Sequence, residues 1–334
     1  MQPRQRLLTL LLALLLPTSL AAQTDPPLQS IVLPLDYSGN HLFVTLTDEH
    51  LGPLTLMLDT GFQRTALDSA VANKGEVHTS FWNRSVSYNG FGAGPSKRRY
   101  QTANISLRTA QIPVFTTSAL VVDFSGLAKQ LGHPIDGFLG WDFVEKWCAT
   151  LDYAPARLIL RDPAACPEPE GPHATLRGRW TSQGLLLPAQ LTFPNSNAIT
   201  TALLHFDTGS DVTLLLNTQF RAAAGLTPNP DSEPSSDAAS AHESHGWGVN
   251  GRYTTDLVPL AKIDLEDQLQ LNTGNNTTTV IARPGAFAKI HWWEGPSATK
   301  INHDGVIGNG LLDRFTWTID SAAKRIYAAP ATGN

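Results

Sequence analysis

Three short motifs occur twice in this chain in the same order, and that repeat limits the possible fold more than any other feature. An Asp-Thr-Gly triplet ends an apolar run at Asp59-Thr60-Gly61 and again at Asp207-Thr208-Gly209. A Gly-rich segment follows each, at 89–95 and 246–251. Further on, Asp136-Gly137-Phe138-Leu139-Gly140 is answered by Asp304-Gly305-Val306-Ile307-Gly308. From Asp136 to Leu160 the copies align without a gap at an offset of 168, whereas the triplets are offset by 148. The second copy therefore carries about 20 extra residues between its motifs, a self-similarity that has to be read before any local pattern. Thr227–Ser244, rich in Pro, Ser, Asp and Ala, is the expected place for them.

Each copy reads as strands joined by turns. Ser30–Tyr37, His41–Thr47 and Leu54–Leu58 precede the first triplet, and Ala174–Trp180, Gly184–Phe193 and Thr200–Phe206 precede the second. Short helices are expected at Asp142–Trp147 and Gly310–Phe315, each followed by a two-strand return. The pattern predicts a mainly β chain of two lobes related by pseudo-two-fold symmetry. The first spans 23–162 and the second 174–334, with a Pro-rich linker at 163–173.

The first 22 residues read as a secretory signal peptide. Arg4 and Arg6 precede the run Leu7–Leu16, and small residues surround Ala21 and Ala22. An exported protein, periplasmic or secreted, is expected. No later stretch approaches the roughly 20 apolar residues of a membrane span. With 24 basic and 29 acidic residues and no basic run, a nucleic-acid surface is not expected. Cys148 and Cys166 are the only two cysteines. An oxidising compartment would let them form a disulfide; the alternative is two partly buried free thiols.

The triplet residues suit acid/base chemistry. Asp supplies an oxygen pair that holds a water and exchanges its proton, Thr a hydroxyl that can bond across to a partner loop, and Gly a sharp bend with an N–H aimed at the carboxylate. Two facing carboxylates about 3 Å apart cannot both ionise at moderate pH, so they share a proton and titrate in coupled steps. His242 and His245 flank Glu243 without the spacing of a helical zinc motif, so no metal site is predicted. His205, two residues before Asp207, reads as a hydrogen-bonded core histidine.

Taken together, these residues resemble the pepsin-like and retropepsin-like aspartic proteases, across nearly the whole chain beyond the leader. The resemblance implies a bilobal acid-protease fold with Asp59 and Asp207 as catalytic residues, supported by Thr60, Gly61, Gly140, Thr208, Gly209, Ser210 and Gly308. It implies a peptide or protein substrate, no cofactor, and a monomer, since both half-sites lie in one chain. A hairpin flap is implied near Ser85–Gly94, with Tyr88 or Phe91 over the cleft and Trp247 in the matching segment of the second lobe.

One position departs from the family pattern. The residue after the triplet is usually small, often a Ser whose hydroxyl bonds the aspartate; Ser210 conforms and Phe62 does not. A ring there either packs under the loop, leaving Asp59 with one donor fewer, or marks a weakened site. The reading is therefore an exported aspartic endopeptidase, with an inactive or weak peptide-binding protein of the same fold as the alternative. A glycosidase would also use two carboxylates but leaves the repeated Thr and Gly unexplained.

Overall fold

Two equivalent β lobes stand on one shared sheet. The computed structural model describes residues 30–74, 79–82, 100–110, 112–193, 199–225, 243–248, 251–258, 262–266, 269–272, 290–293 and 302–331. The first copy opens with β1 (Ile31–Pro34), β2 (Asp36–Ser38), β3 (His41–Asp48) and β4 (Gly52–Leu58). After the triplet come β5 (Ala66–Asp68), α1 (Ser69–Lys74), β6 (Thr79–Trp82), β7 (Tyr100–Thr109), β8 (Ile112–Val122) and α2 (Ser125–Leu131). β9 (Gly137–Leu139), the one-turn α3 (Trp141–Val144), β10 (Cys148–Asp152) and β11 (Arg157–Arg161) close the copy.

The second copy follows the same plan. β12 (Ala174–Leu176), β13 (Arg179–Thr181), β14 (Gly184–Thr192) and β15 (Ile199–Phe206) lead to its triplet. β16 (Leu214–Asn217), α4 (Thr218–Ala223), β17 (Glu243–Gly248), β18 (Gly251–Val258), β19 (Lys262–Leu265), β20 (Leu269–Asn272) and β21 (Ile290–Trp293) come next. β22 (Gly305–Ile307), α5 (Asn309–Leu312), β23 (Phe315–Asp320) and β24 (Arg325–Pro330) end it.

The pairings repeat strand for strand. β4 runs parallel to β9, β9 antiparallel to β5, and β5 parallel to β8; β15 runs parallel to β22, β22 antiparallel to β16, and β16 parallel to β21. The six-stranded sheet β1-β11-β10-β23-β24-β12 joins the copies. Its middle pair puts Thr150 opposite Thr318, residues separated by the repeat offset of 168, so the pseudo-two-fold axis passes between them. Their hydroxyls are 3.0 Å apart.

Burial on both faces explains the apolar run Leu56-Met57-Leu58 that leads into the first triplet. Successive side chains of a strand point to opposite faces. Leu56 and Leu58 enter the large core shared with the second lobe, while Met57 between them joins a smaller cluster with Phe43, Phe62, Phe124 and Phe138. A strand covered on both sides loses the polar alternation of a half-exposed one.

Two expectations need correction. Ser30–Tyr37 and Ala174–Trp180 are each two strands, because the chain changes sheets partway: β1 pairs with β11 but β2 with β3, and β12 pairs with β24 but β13 with β14. At the first switch the Leu35 N–H bonds the Ala156 carbonyl at 2.8 Å; at the second, Gly178 takes a φ of +59°. The extra length of the second copy is also not confined to Thr227–Ser244. β8 covers both its pairing with β7 and its pairing with β5 in 11 residues, whereas β20, paired with β19, and β21, paired with β16, have residues 273–289 between them. Among the described residues, no helix is long and apolar enough to cross a membrane.

Cys148, at the start of β10, is bonded to Cys166 beyond the short 3-10 turn Pro163–Ala165, closing a separation of 18 residues. The link ties the segment leaving the first copy back to the shared sheet. Replacing both cysteines with serine should lower the unfolding free energy by about 3 kcal/mol, the chain-entropy value for a loop of this size. Urea unfolding of the double variant beside the parent measures it.

Candidate active site

Each triplet begins where a strand ends beside its partner motif. The Asp59 N–H donates to Leu139 O at 2.9 Å, and the Asp207 N–H to Ile307 O at 3.0 Å, extending the β4/β9 and β15/β22 ladders to the aspartates themselves. Gly140 and Gly308 then let the supporting chain pass under the triplet loops. A Cβ on Gly140 would lie 2.7 Å from the Phe62 carbonyl oxygen, and one on Gly308 would press on the Ser210 and Val212 carbonyls. Beyond each glycine the backbone bonds the loop again, Trp141 N–H to Phe62 O and Asn309 N–H to Ser210 O, both at 2.7 Å.

The threonines lock the loops to each other. The Thr60 N–H donates to Thr208 Oγ1 and the Thr208 N–H to Thr60 Oγ1, both at 3.0 Å. Each hydroxyl donates in turn across the interface, Thr60 to Phe206 O at 2.7 Å and Thr208 to Leu58 O at 2.8 Å. All of these groups are buried, where an unpaired donor or acceptor costs about 1–3 kcal/mol, so four bonds fix one relative position of the loops.

That position puts the carboxyl groups of Asp59 and Asp207 in direct hydrogen-bond contact. The triplet glycines make it possible. A Cβ on Gly61 would collide with the Asp207 carboxyl, and one on Gly209 with the Asp59 carboxyl. Backbone N–H groups complete the cradle: Phe62 to Asp59 Oδ1 at 3.0 Å and Gly209 to Asp207 Oδ1 at 2.9 Å.

Burial decides the protonation. It holds the Asp59 carboxyl well above the ordinary carboxylate range, with the Asp207 charge and the bond to Asp207 adding to it. Asp207 is pushed up to about 6, again mainly by burial; the N–H groups of Gly209 and Gly61 and the bond from Asp59 oppose the rise, and Asp211 adds to it. One proton therefore stays in the pair near neutrality, shared between the two carboxyls.

The Phe62 ring does not enter the site. It is buried in the smaller cluster, edge-on to Phe138 at 5.2 Å between centroids, while its backbone N–H serves Asp59. The expected loss of a donor relative to the second lobe does not occur, because among the described residues the Ser210 hydroxyl makes no hydrogen bond to Asp207. Asp136 and Asp304 brace the supporting strands: each Oδ2 accepts a backbone N–H at 2.8 Å, from Thr55 and Leu203 respectively.

His205 is buried but not hydrogen-bonded as expected. Among the described residues its Nε2 has no hydrogen-bond partner, and it faces Gly184, where a Cβ would collide with it. Burial, with His303 at 5.1 Å between ring centroids, pushes it down to about 3, so the ring is neutral. Tyr88 and Phe91 lie outside the described residues, as does the side chain of Trp247, whose backbone belongs to β17.

Three polar residues behind the loops were not singled out by the sequence. Asp142 accepts the N–H of Thr65 at 2.7 Å and its hydroxyl at 2.8 Å. Asn309 is fully buried and donates to the carbonyls of Thr208 and Asn40, both at 2.7 Å, while Tyr153 donates to it at 2.6 Å. The only trace in the sequence is a polar residue directly after each apolar-apolar-Gly segment or one position later.

Residues 44–143 match the model of a family described as Aspartyl protease, a span running from β3 through the Asp59 loop to α3. No curated protein matches the chain. Among solved structures, the crystal structure of basic 7S globulin from soybean is similar at 13% identity, covering 91% of this chain and 95% of that one with a TM-score of 0.47. The first copy thus carries the aspartyl protease match, and the strand-for-strand repeat of its pairings in the second gives the chain the bilobal, mainly β acid-protease fold.

The raised carboxyls make stability depend on pH. A carboxyl raised on folding stabilises fully below its unfolded value near 3.8 and loses that contribution as pH climbs through its folded value, about 6 for Asp207. Asp207→Asn, which removes the buried charge and keeps an acceptor for Gly209, should melt several degrees higher than the parent at pH 7. The gap should close toward pH 4, as read by thermal melts across that range.

Proposed function

We propose that the chain is an exported aspartic endopeptidase that hydrolyses peptide bonds with a water activated between Asp59 and Asp207. The observation that carries this reading is the pair of buried carboxyls in contact, one proton between them, at the crossing of two threonine-locked loops. Such a pair holds both an acid and a base at one point in a site of low polarity.

In the reaction, ionised Asp207 takes a proton from the water as its oxygen attacks the substrate carbonyl carbon. Protonated Asp59 gives its proton to the carbonyl oxygen. A neutral tetrahedral diol results, with no covalent enzyme intermediate, and its collapse sends the proton on Asp207 to the leaving nitrogen while Asp59 recovers one from a diol hydroxyl. Gly61 and Gly209 keep the two carboxyls close enough to act on one water, and the threonine bonds hold them there without reorganisation as charge moves.

Export rests on the basic and apolar leader. A monomer suffices because each copy supplies one half-site and both belong to one chain. Support for the endopeptidase over a purely binding protein comes from Phe62, the motive for that alternative: its ring is packed in the core and its N–H is used on Asp59.

Purified protein should cut a mixed peptide library, with Asp59→Asn and Asp207→Asn each reducing cleavage by several orders of magnitude. The double change should cost little more, because residues acting as a unit are not additive. The pH profile should be bell-shaped, its acid limb following the first ionisation of the pair and its alkaline limb the loss of the last proton. A protein that binds a statine-type inhibitor but cuts no peptide from mildly acidic to neutral pH would fail this reading in favour of a binding protein.

A further inference from the structure

The two lobes support their aspartates differently. One position beyond the supporting glycine stands Trp141 in the first copy and Asn309 in the second, separated by the repeat offset of 168. Among the described residues the buried Trp141 indole Nε1 has no hydrogen-bond partner. The Asn309 side chain has three.

The geometry fixes the orientation of the Asn309 amide. Two of its neighbours are carbonyl oxygens, Thr208 O and Asn40 O, each at 2.7 Å, and these can only accept. The amide nitrogen therefore faces them, leaving Oδ1 toward the Tyr153 hydroxyl at 2.6 Å. Burial raises the Tyr153 phenol well above its ordinary range, so it remains a donor throughout the working pH range.

The Thr208 carbonyl belongs to the same peptide group as the Gly209 N–H, which donates to Asp207 Oδ1 at 2.9 Å. A peptide group is planar; fixing its oxygen fixes the direction of its N–H. The result is one chain of bonds with every donor pointing the same way, from Tyr153 O–H to Asn309, from the Asn309 amide to Thr208 O, and from Gly209 N–H to the carboxylate. Bonds aligned in this way polarise one another, and a chain ending in a donor favours negative charge on the group it reaches.

We propose that Asn309 is a positioning residue which, backed by Tyr153 and acting through the Thr208–Gly209 peptide, holds Asp207 as the proton acceptor of the pair. The inference rests on the endopeptidase reading for its consequence in catalysis, though not for its effect on the carboxyls. Other ionisable groups around Asp207 are Asp59 on the facing loop, Asp211 downstream on its own loop, Tyr153 behind it, and His205 on β15, buried and neutral. Asp211 works against ionisation of Asp207, whereas the bond from Asp59 favours it. The Asn309 chain acts in the same direction as that bond.

The test is a carbon-13 NMR titration of the intact chain labelled at its Asp carboxyls, comparing parent, Tyr153→Phe, Asn309→Leu and Trp141→Phe. The lower of the pair's two steps should move up by about 0.3 pH units in Tyr153→Phe, the order expected from losing one polarising bond. It should move up by as much as about one unit in Asn309→Leu, where the peptide loses its anchor, and stay in place in Trp141→Phe. Where the chain cleaves peptides, the acid limb of kcat/KM should move with it. A carboxyl shift in a chain that cuts nothing would overturn the endopeptidase reading and leave this inference standing. An unmoved lower step in folded Tyr153→Phe would overturn the inference, and that variant decides alone should Asn309→Leu not fold.

Discussion

Everything specific about this molecule depends on the reciprocal bonding of Thr60 and Thr208. Two carboxyl groups in contact and shielded from water are unfavourable if both are ionised, and isolated loops would separate to hydrate them. Here separation would break two N–H to Oγ1 bonds and two Oγ1 to carbonyl bonds at once, leaving six polar groups in an apolar interior. The side chains flanking the crossing make separation harder still. The Phe206 carbonyl receives the Thr60 hydroxyl while its ring packs edge-on against Trp317 at 5.1 Å, and Leu58, whose carbonyl receives the Thr208 hydroxyl, is buried in the same core. The placement of the carboxyls and the core packing are one structure at this point.

The shared sheet beneath sets the same relation at a distance. Thr150 and Thr318 meet on the pseudo-two-fold axis, and the triplets meet above it, so the two lobes are held by two symmetric contacts along one line. A hinge at either would have to slide the other. Symmetry ends at the residues behind the loops, where the first copy has Trp141-Asp142 and the second Asn309-Gly310. Asp142 holds its loop downstream of the triplet, at Thr65; Asn309 holds its loop inside the triplet, at Thr208. A pair of identical lobes would give two equivalent carboxyls and an unassigned proton.

What could be read from the sequence was what sterics or chain geometry dictates locally. The glycines of the triplets and of Gly140 and Gly308 sit where a Cβ would collide with backbone or with the partner carboxyl, so those positions announce themselves as fixed patterns. The constant offset from Asp136 to Leu160 showed that the supporting segment, helix and return hairpin form one unit. The switch of sheets at Leu35 and near Gly178 was not legible, since the strand pattern continues across it and only the distant partners, β11 and β24, reveal the break. The insertion in the second copy was assigned to one loop because composition marks Thr227–Ser244 as polar, whereas the extra length between β20 and β21 shows only in which strands they pair with. Asn309 was invisible for a different reason: its partners Asn40 and Tyr153 lie more than 150 residues away in the other copy.

Phe62 illustrates why a departure from a pattern need not weaken a site. The function of that position is carried by its backbone N–H, which any residue but proline supplies, and the side chain is free to serve the fold. In the first lobe the space under the loop is an apolar cluster between β4, β9 and α2, and a phenylalanine fills it. Ser210 in the second lobe lies only half-buried, and a side chain from elsewhere, Asn309, reaches the loop instead. The first aspartate is thus supported by a hydrophobic floor and the second by a polar one. An apolar floor raises the cost of charge above it, and a chain of donors lowers it. The two floors make chemically identical residues inequivalent, and the bias toward acid on one side and base on the other follows from what each rests on.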